Sequence, residues 1–163
     1  TTIAPPGQEQ VIETMEENFN KKVEPIQKDV KKFGKAFKEV VTMASILEDE
    51  VPKTEDRKIV AGILWKRIRI GMPLQVDAVF PYITQRKNKT TTRDDLKIDS
   101  PYNTYLNKGL PPGPISNPSL DAIISAISPK ETKYLFYISD KKGVTRFAAT
   151  LEEHNRNIDK YLR

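Results

Sequence analysis

Residues 133–150 read KYLFYISDKKGVTRFAAT. Two runs of β-formers flank DKKG, and a Gly-containing turn between such runs reads as a β-hairpin. Upstream the chain shows helical spacing or loop chemistry, so this hairpin separates an all-helical reading from an α+β one. We therefore expect an α+β fold. It should be a helix-rich domain with a small antiparallel element near 133–149 and a long Pro/Gly-rich loop. The segment that follows, LEEHNRNIDKYLR, reads as a short closing helix capped by Thr150 with Glu153 at the third position.

Working back towards the start, PPG at 5–7 is a break. QEQVIETMEENFNKKV then places Val11, Ile12, Met15 and Phe19 at helical spacing. A second helix is expected from Pro25 to Glu50, broken near Gly34. Pro25 suits its first turn, where a missing N–H costs nothing. Phe33, Phe37, Val40, Val41, Ala44 and Leu47 form its core-facing stripe. Thr54 is the expected cap of a third helix, EDRKIVAGILWKRIRI, with Glu55 and Asp56 against the helix dipole and Gly71 as the stop.

GMPLQVDAVFPYI has strand-like alternation, with Leu74, Val76 and Val79 on one face and Gln75 and Asp77 on the other. Residues 84–92, TQRKNKTTT, read as a polar surface loop, and NKT at 88–90 fits a glycosylation acceptor pattern. Thr92 and Asp95 suit a capping box. Residues 99–119, DSPYNTYLNKGLPPGPISNPS, hold too much Pro, Gly and Asn for regular structure. A shaped loop of this length inside a compact domain is often a binding surface. Asn117 with Pro118 should then open the helix SLDAIISAIS.

Composition narrows the chemistry. A chain of 163 residues with 37% hydrophobic and 30% charged residues suits one soluble domain with a real core. No cysteine is present, which excludes disulfide frameworks and thiolate metal sites. One histidine and no cysteine argue against a catalytic zinc, and no metal or cofactor is expected. Neither a G-x-S-x-G elbow nor a Gly-rich phosphate loop appears. No apolar run reaches the length of about 18 residues that spans a bilayer. The net charge of +5 permits an anionic partner. However, the cluster Lys28, Lys31, Lys32, Lys35 and Lys38 lacks Arg and is interrupted by Asp29 and Glu39. It reads as a solvated face, and no nucleic acid is expected as a partner.

Carboxylate chemistry remains. ASILEDE at 44–50 runs an apolar helical face into Glu48, Asp49 and Glu50. The expectation is that Glu48 lies nearest the apolar face, where a carboxyl's neutral form is favoured. Asp49 and Glu50 then supply field and surface charge. A neutral carboxyl is what glycosidic-bond cleavage requires of its general acid. On local grounds alone, a solvated acidic helix end is the competing reading.

Several ordered stretches together resemble one family. ASILEDE is similar to its ASIVEKE helix end, and RIRIGMPLQVD at 67–77 to its N-R-L-x-x-G-M-x-L-Q-x-D segment. DSPYNTYLNKGLPPGPISNPSLDAI at 99–123 is close to its SPYNTY…GLPPGPIxNPG signature. YLFYISD and TLEEHN follow in the same order. The chain thus resembles the endolytic murein transglycosylases (MltG or YceG-like) over residues 37–162.

The resemblance implies a lytic transglycosylase that cleaves the MurNAc–GlcNAc β-1,4 bond within nascent peptidoglycan strands. The 6-hydroxyl of the same MurNAc attacks C1 and leaves a 1,6-anhydro end. It implies Glu48 as the catalytic residue, acid first and base second. Gln75, Asp77, Ser100, Tyr102, Asn103, Thr104 and Tyr105 become candidates for touching glycan, with His154 and Asn155 in support. It also implies a domain at 23–163 joined by a helix at 1–22 to a preceding LysM-like module and membrane anchor. The expected setting is the extracytoplasmic face of the bacterial membrane. The expected partners are glycan strands, with peptidoglycan synthases as further candidates, and the chain is expected to act as a monomer. Two departures stand out. AVFPYI replaces the frequent PTVxYG after LQVD, and Thr145 stands where the family commonly has His. A non-catalytic glycan-binding module is the alternative function.

Overall fold

The computed structural model describes residues 7–86 and 90–163. Asn88 of the NKT pattern lies outside the described residues. Helix α1 (Gln8–Val23) leads through a 3-10 turn at Glu24–Ile26 into α2 (Gln27–Phe33). Gly34 takes φ +79° and ends α2, so the helical stretch over 25–50 is broken at Gly34 as expected. Helix α3 (Phe37–Glu50) then starts afresh, with Glu39 accepting from the Ala36 N–H at 3.0 Å. The five lysines of the 28–38 cluster are all exposed, and the solvated-face reading holds for them.

Helix α4 (Thr54–Arg69) follows after Val51. Thr54 does not cap it; its hydroxyl instead donates to Asp121 across the fold. The stop is as expected, with Gly71 at φ +69° and its N–H donating to Ile68. Helix α5 (Val79–Thr84) is a short helix where the sequence suggested a strand.

The expected strand around Leu74 and Val76 does not form. Burial alternates as expected: Leu74 and Val76 are buried, Gln75 and Asp77 exposed. Yet Gln75 has φ +51°, which breaks a strand, and no second strand is at hand. The N–H groups of Gln75 and Val76 go instead to the Thr104 carbonyl and hydroxyl, each at 3.1 Å. Alternating burial therefore reflects one face on the core, which a lone extended segment satisfies as well as a sheet does.

The 99–119 loop is irregular but turned inwards. Asn103 is fully buried and donates to the carbonyls of Leu96 and Ile98. Ile115 N–H reaches the Ser45 hydroxyl at 3.0 Å. Before it, Thr92 and Asp95 exchange hydrogen bonds as the capping box requires and start a 3-10 turn at Asp95–Lys97. Helix α6 (Leu120–Ile127) is capped by Ser119, not Asn117: the Ser119 hydroxyl accepts from Ala122 N–H at 3.2 Å.

Strands β1 (Phe136–Ser139) and β2 (Thr145–Ala148) pair antiparallel, with Tyr137 opposite Phe147. Asp140 holds the turn by accepting from the N–H groups of Lys142 and Val144. Helix α7 (Leu151–Tyr161), capped by Thr150 as expected, lies along this hairpin.

Helices α3, α4 and α6 pack into one core through Val40, Met43, Leu47, Val60, Leu64 and Ile123. Each such side chain contributes about 1.5–3 kcal/mol on burial. Gly62 allows a close approach: a Cβ there would sit 2.0 Å from the Lys130 carbonyl oxygen. The hairpin and α7 stand beside this core, and a cleft opens between them and the end of α3.

Candidate active site

The cleft has a volume of about 600 Å³. One wall is the end of α3, with Asp49 and Glu50; the segment Gln75–Ala78 and Tyr105 continue it. The opposite wall is β1 and α7, from which Phe136, Tyr137 and His154 face inwards. Arg67 lies between the walls, buried, with Nε donating to Leu135 O at 2.8 Å and Nη1 to Leu74 O at 2.6 Å. This one guanidinium ties α4 to both walls and passes 5.2 Å from the Phe136 ring.

Glu50 is the carboxyl best placed for acid chemistry. Its Oε1 accepts from Ala78 N–H at 3.1 Å, and its Oε2 from the Tyr137 hydroxyl at 2.9 Å. Burial pushes its pKa above the ordinary carboxylate range; the Tyr137 and Ala78 hydrogen bonds oppose this, and Asp77 and Asp49 add to the rise. Tyr137 is itself pushed well up, first by burial and then by the Glu50 charge, so it remains a hydroxyl. Tyr105 donates to Asp77 at 2.6 Å and is raised by burial and by that bond. His154 stacks on Phe136 at 5.2 Å; burial, then Arg67, lowers its pKa and favours the neutral ring.

Glu48 sits elsewhere. Its side chain is 31% exposed and does not line the cleft. Oε2 accepts from the Ser119 N–H at 3.0 Å and the Ser119 hydroxyl at 2.6 Å. Arg57 lies 3.9 Å from its other oxygen and also pairs with Asp121. Glu48 thus clamps the start of α6 to α3. Glu48 was expected against the apolar walls with Glu50 on the surface; in the structure it is Glu50 that lines the cleft. The apolar row Met43–Ile46–Leu47 leads to Glu50 at helical spacing, while the Ala44–Ser45 row leads to Glu48 and to the N-terminus of α6.

Of the other expected residues, the structure brings Gln75, Asp77, Tyr105 and His154 to the cleft. Tyr102 is at its rim, its ring 4.7 Å from that of Tyr82, an exposed cleft residue that sequence reasoning missed. Three do not line the cleft. Asn103 is enclosed, Thr104 is 2% exposed and bonded to Val76, and Ser100 accepts from Tyr102 N–H within the turn. Asn155 is exposed on α7 and off the cleft. Arg67, Phe136 and Tyr137 were also missed; YLFYIS held the signal, since hairpin alternation sets Tyr137 on one face.

An α+β protein with two carboxyls, Glu50 and Asp77, each bonded to a phenol in an aromatic-walled groove is the class this fold and site define. The profile of the YceG-like family matches residues 4–160, and the chain belongs to that family. It is 36% identical over 154 residues to the endolytic murein transglycosylase of Bacillus subtilis (strain 168), covering 94% of this chain and 43% of that protein. A protein of the same name from Streptococcus pneumoniae serotype 2 (strain D39) is 36% identical over 160 residues, 94% of this chain and 29% of that one. The crystal structure of a yceG-like protein from Listeria monocytogenes superposes with a TM-score of 0.90 at 35% identity, covering 96% of this chain and 51% of the other. The chain thus spans less than half the length of the curated relatives it matches. Among the described residues no helix is long and apolar enough to cross a membrane.

Proposed function

We propose that this domain is a lytic transglycosylase of peptidoglycan glycan strands, with Glu50 as its proton carrier. The observation that carries the reading is the Glu50 carboxyl, desolvated in the cleft and held by two donors. Protonated Glu50 gives its proton to the glycosidic O4, the C1–O4 bond breaks, and its electron pair leaves with O4. The carboxylate then takes the proton of the C6 hydroxyl as O6 bonds to C1, leaving a 1,6-anhydro end. The nucleophile is part of the substrate, so the protein's task is to hold the sugar in the right pose. Asp49 and Asp77 supply negative potential for the oxocarbenium-like transition state. Gln75, Tyr105, Tyr82 and Tyr102 offer amide and ring contacts for sugar. Such a domain works outside the cytoplasmic membrane, where its polymer lies, as a single chain.

The resemblance alone points to Glu48 and the geometry favours Glu50, so one experiment sorts them. Glycan strands are digested with wild type, Glu50→Gln and Glu48→Gln, and 1,6-anhydro ends are measured by muropeptide analysis. Glu50→Gln is expected to lose about 10²–10⁴-fold, the usual contribution of a general acid, and Glu48→Gln to keep most activity. The reverse result returns the role to Glu48. Strand binding without anhydro ends from any of the three makes the domain a glycan-binding module instead.

A further inference from the structure

The proposal of Glu50 as proton carrier leaves open which of its oxygens carries the proton and what manages the exchange between the two steps. Resting on that reading, we propose that Oε2 carries the transferred proton and that Tyr137 is the positioning residue that serves it in both steps. A backbone N–H can only donate. Ala78 N–H points at Oε1 at 3.1 Å, so Oε1 is an acceptor in both protonation states. In the neutral acid Oε1 is therefore the carbonyl oxygen, and the proton belongs to Oε2. The group beside Oε2, at 2.9 Å, is a hydroxyl, which both donates and accepts.

Tyr137 can therefore follow the reaction. While Oε2 bears the proton, the phenol oxygen leaves that proton free for the glycosidic O4. Once the proton has left, the phenol O–H turns to the carboxylate and stabilises it. When the C6 hydroxyl returns a proton to Oε2, the phenol rotates back. Tyr137 neither gains nor loses a proton over the cycle, so the balance of the two steps is unchanged.

The surroundings keep it in that role. Asp49 from α3 and Asp77 from the extended segment are acids near Glu50, and Tyr105 from the loop faces the same space with its hydroxyl committed to Asp77. Arg67 from α4 is the cation on this side, engaged by backbone carbonyls; His154 from α7 faces in as a neutral ring. No other hydroxyl in the described cleft is hydrogen-bonded to the Glu50 carboxyl. A proline at position 78 would have no N–H to give Oε1.

The test is the pH dependence of kcat and KM for anhydro-end formation on purified glycan strands. The alkaline limb reports loss of the protonated acid. Tyr137→Phe removes the donor to the carboxylate and should move that limb to higher pH, with kcat down about tenfold and KM within about twofold. Replacing Tyr137 by 3-fluorotyrosine keeps the shape and strengthens the donor, and should move the limb down. Ala78→Pro removes only the other donor, at a residue whose φ of −56° suits proline, and should move the limb up. A limb unmoved by the phenylalanine and fluorotyrosine variants would falsify the role of Tyr137; should Tyr137→Phe not fold, the fluorotyrosine protein decides. A limb unmoved by Ala78→Pro overturns the assignment of the proton to Oε2. Full activity in Glu50→Gln, by contrast, removes the reading beneath, whatever the limbs do.

Discussion

Glu48 and Glu50 are two residues apart and lead different lives. Helix geometry turns successive acids onto different rows, and each row meets a different neighbour. Glu48 meets the backbone and hydroxyl of Ser119, so Glu48→Ala should cost about 1–2 kcal/mol, read by urea denaturation, because it strips an acceptor from the α6 cap. Glu50 is expected to act in the opposite sense. Its pKa rises on folding, so the folded state holds the proton longer than the unfolded chain does. Sign follows from that: the Glu50 contribution is neutral below the ordinary value of 4.5 and becomes unfavourable as pH climbs from there through the raised value. Thermal melting against pH should show this loss in wild type and not in Glu50→Gln. That acids cluster where the apolar face of α3 ends was legible in ASILEDE. Which of them lines the cleft was not, because that depends on what packs against each row, and that is decided by residues 71 and 87 positions downstream.

At the level of elements, α4 is where the constraints meet. Its glycine looks like a flaw, since Gly in a helix interior is worse than Ala by roughly 1 kcal/mol. Here the Lys130 carbonyl occupies the space a methyl would need. Gly62→Ala should therefore destabilise by about 1–3 kcal/mol despite its better helix propensity, measured by chemical denaturation. The helices other than α5 were readable from spacing, as were the hairpin and the Thr150 cap. Failures came at the joints. Thr54 and Asn117 are good caps by type, but Asp121 and the Ser119 hydroxyl supplied better partners in space. Around Leu74 and Val76, alternation mimicked a strand because one face is buried, while the hydrogen bonds that define a strand went to Thr104. Likewise Asn103 and Thr104 looked like glycan ligands and are instead the inner fastening of their loop.

Over the whole molecule, the cleft lies between a helical core and a hairpin-plus-helix unit, which Arg67 and the Tyr137–Glu50 bond join. Replacing Arg67 with Met keeps bulk but releases the carbonyls of Leu135 and Leu74. Hydrogen exchange should then speed up in β1, β2 and α7 before it does in α3, α4 and α6, since local opening follows the weakest docking. Equal loss of protection everywhere would show that the two units unfold as one. The loop at 99–119 adds a last consequence. A protease needs a segment it can draw out into its own groove, and irregular, Pro-rich surface chain is where nicking usually concentrates. This loop offers little to draw out: its Asn103, Thr104 and Ile115 are anchored inwards by side-chain and backbone bonds. Limited digestion of the native protein should leave residues 99–119 uncut, so that the stretch least regular in outline is among the last to yield a fragment.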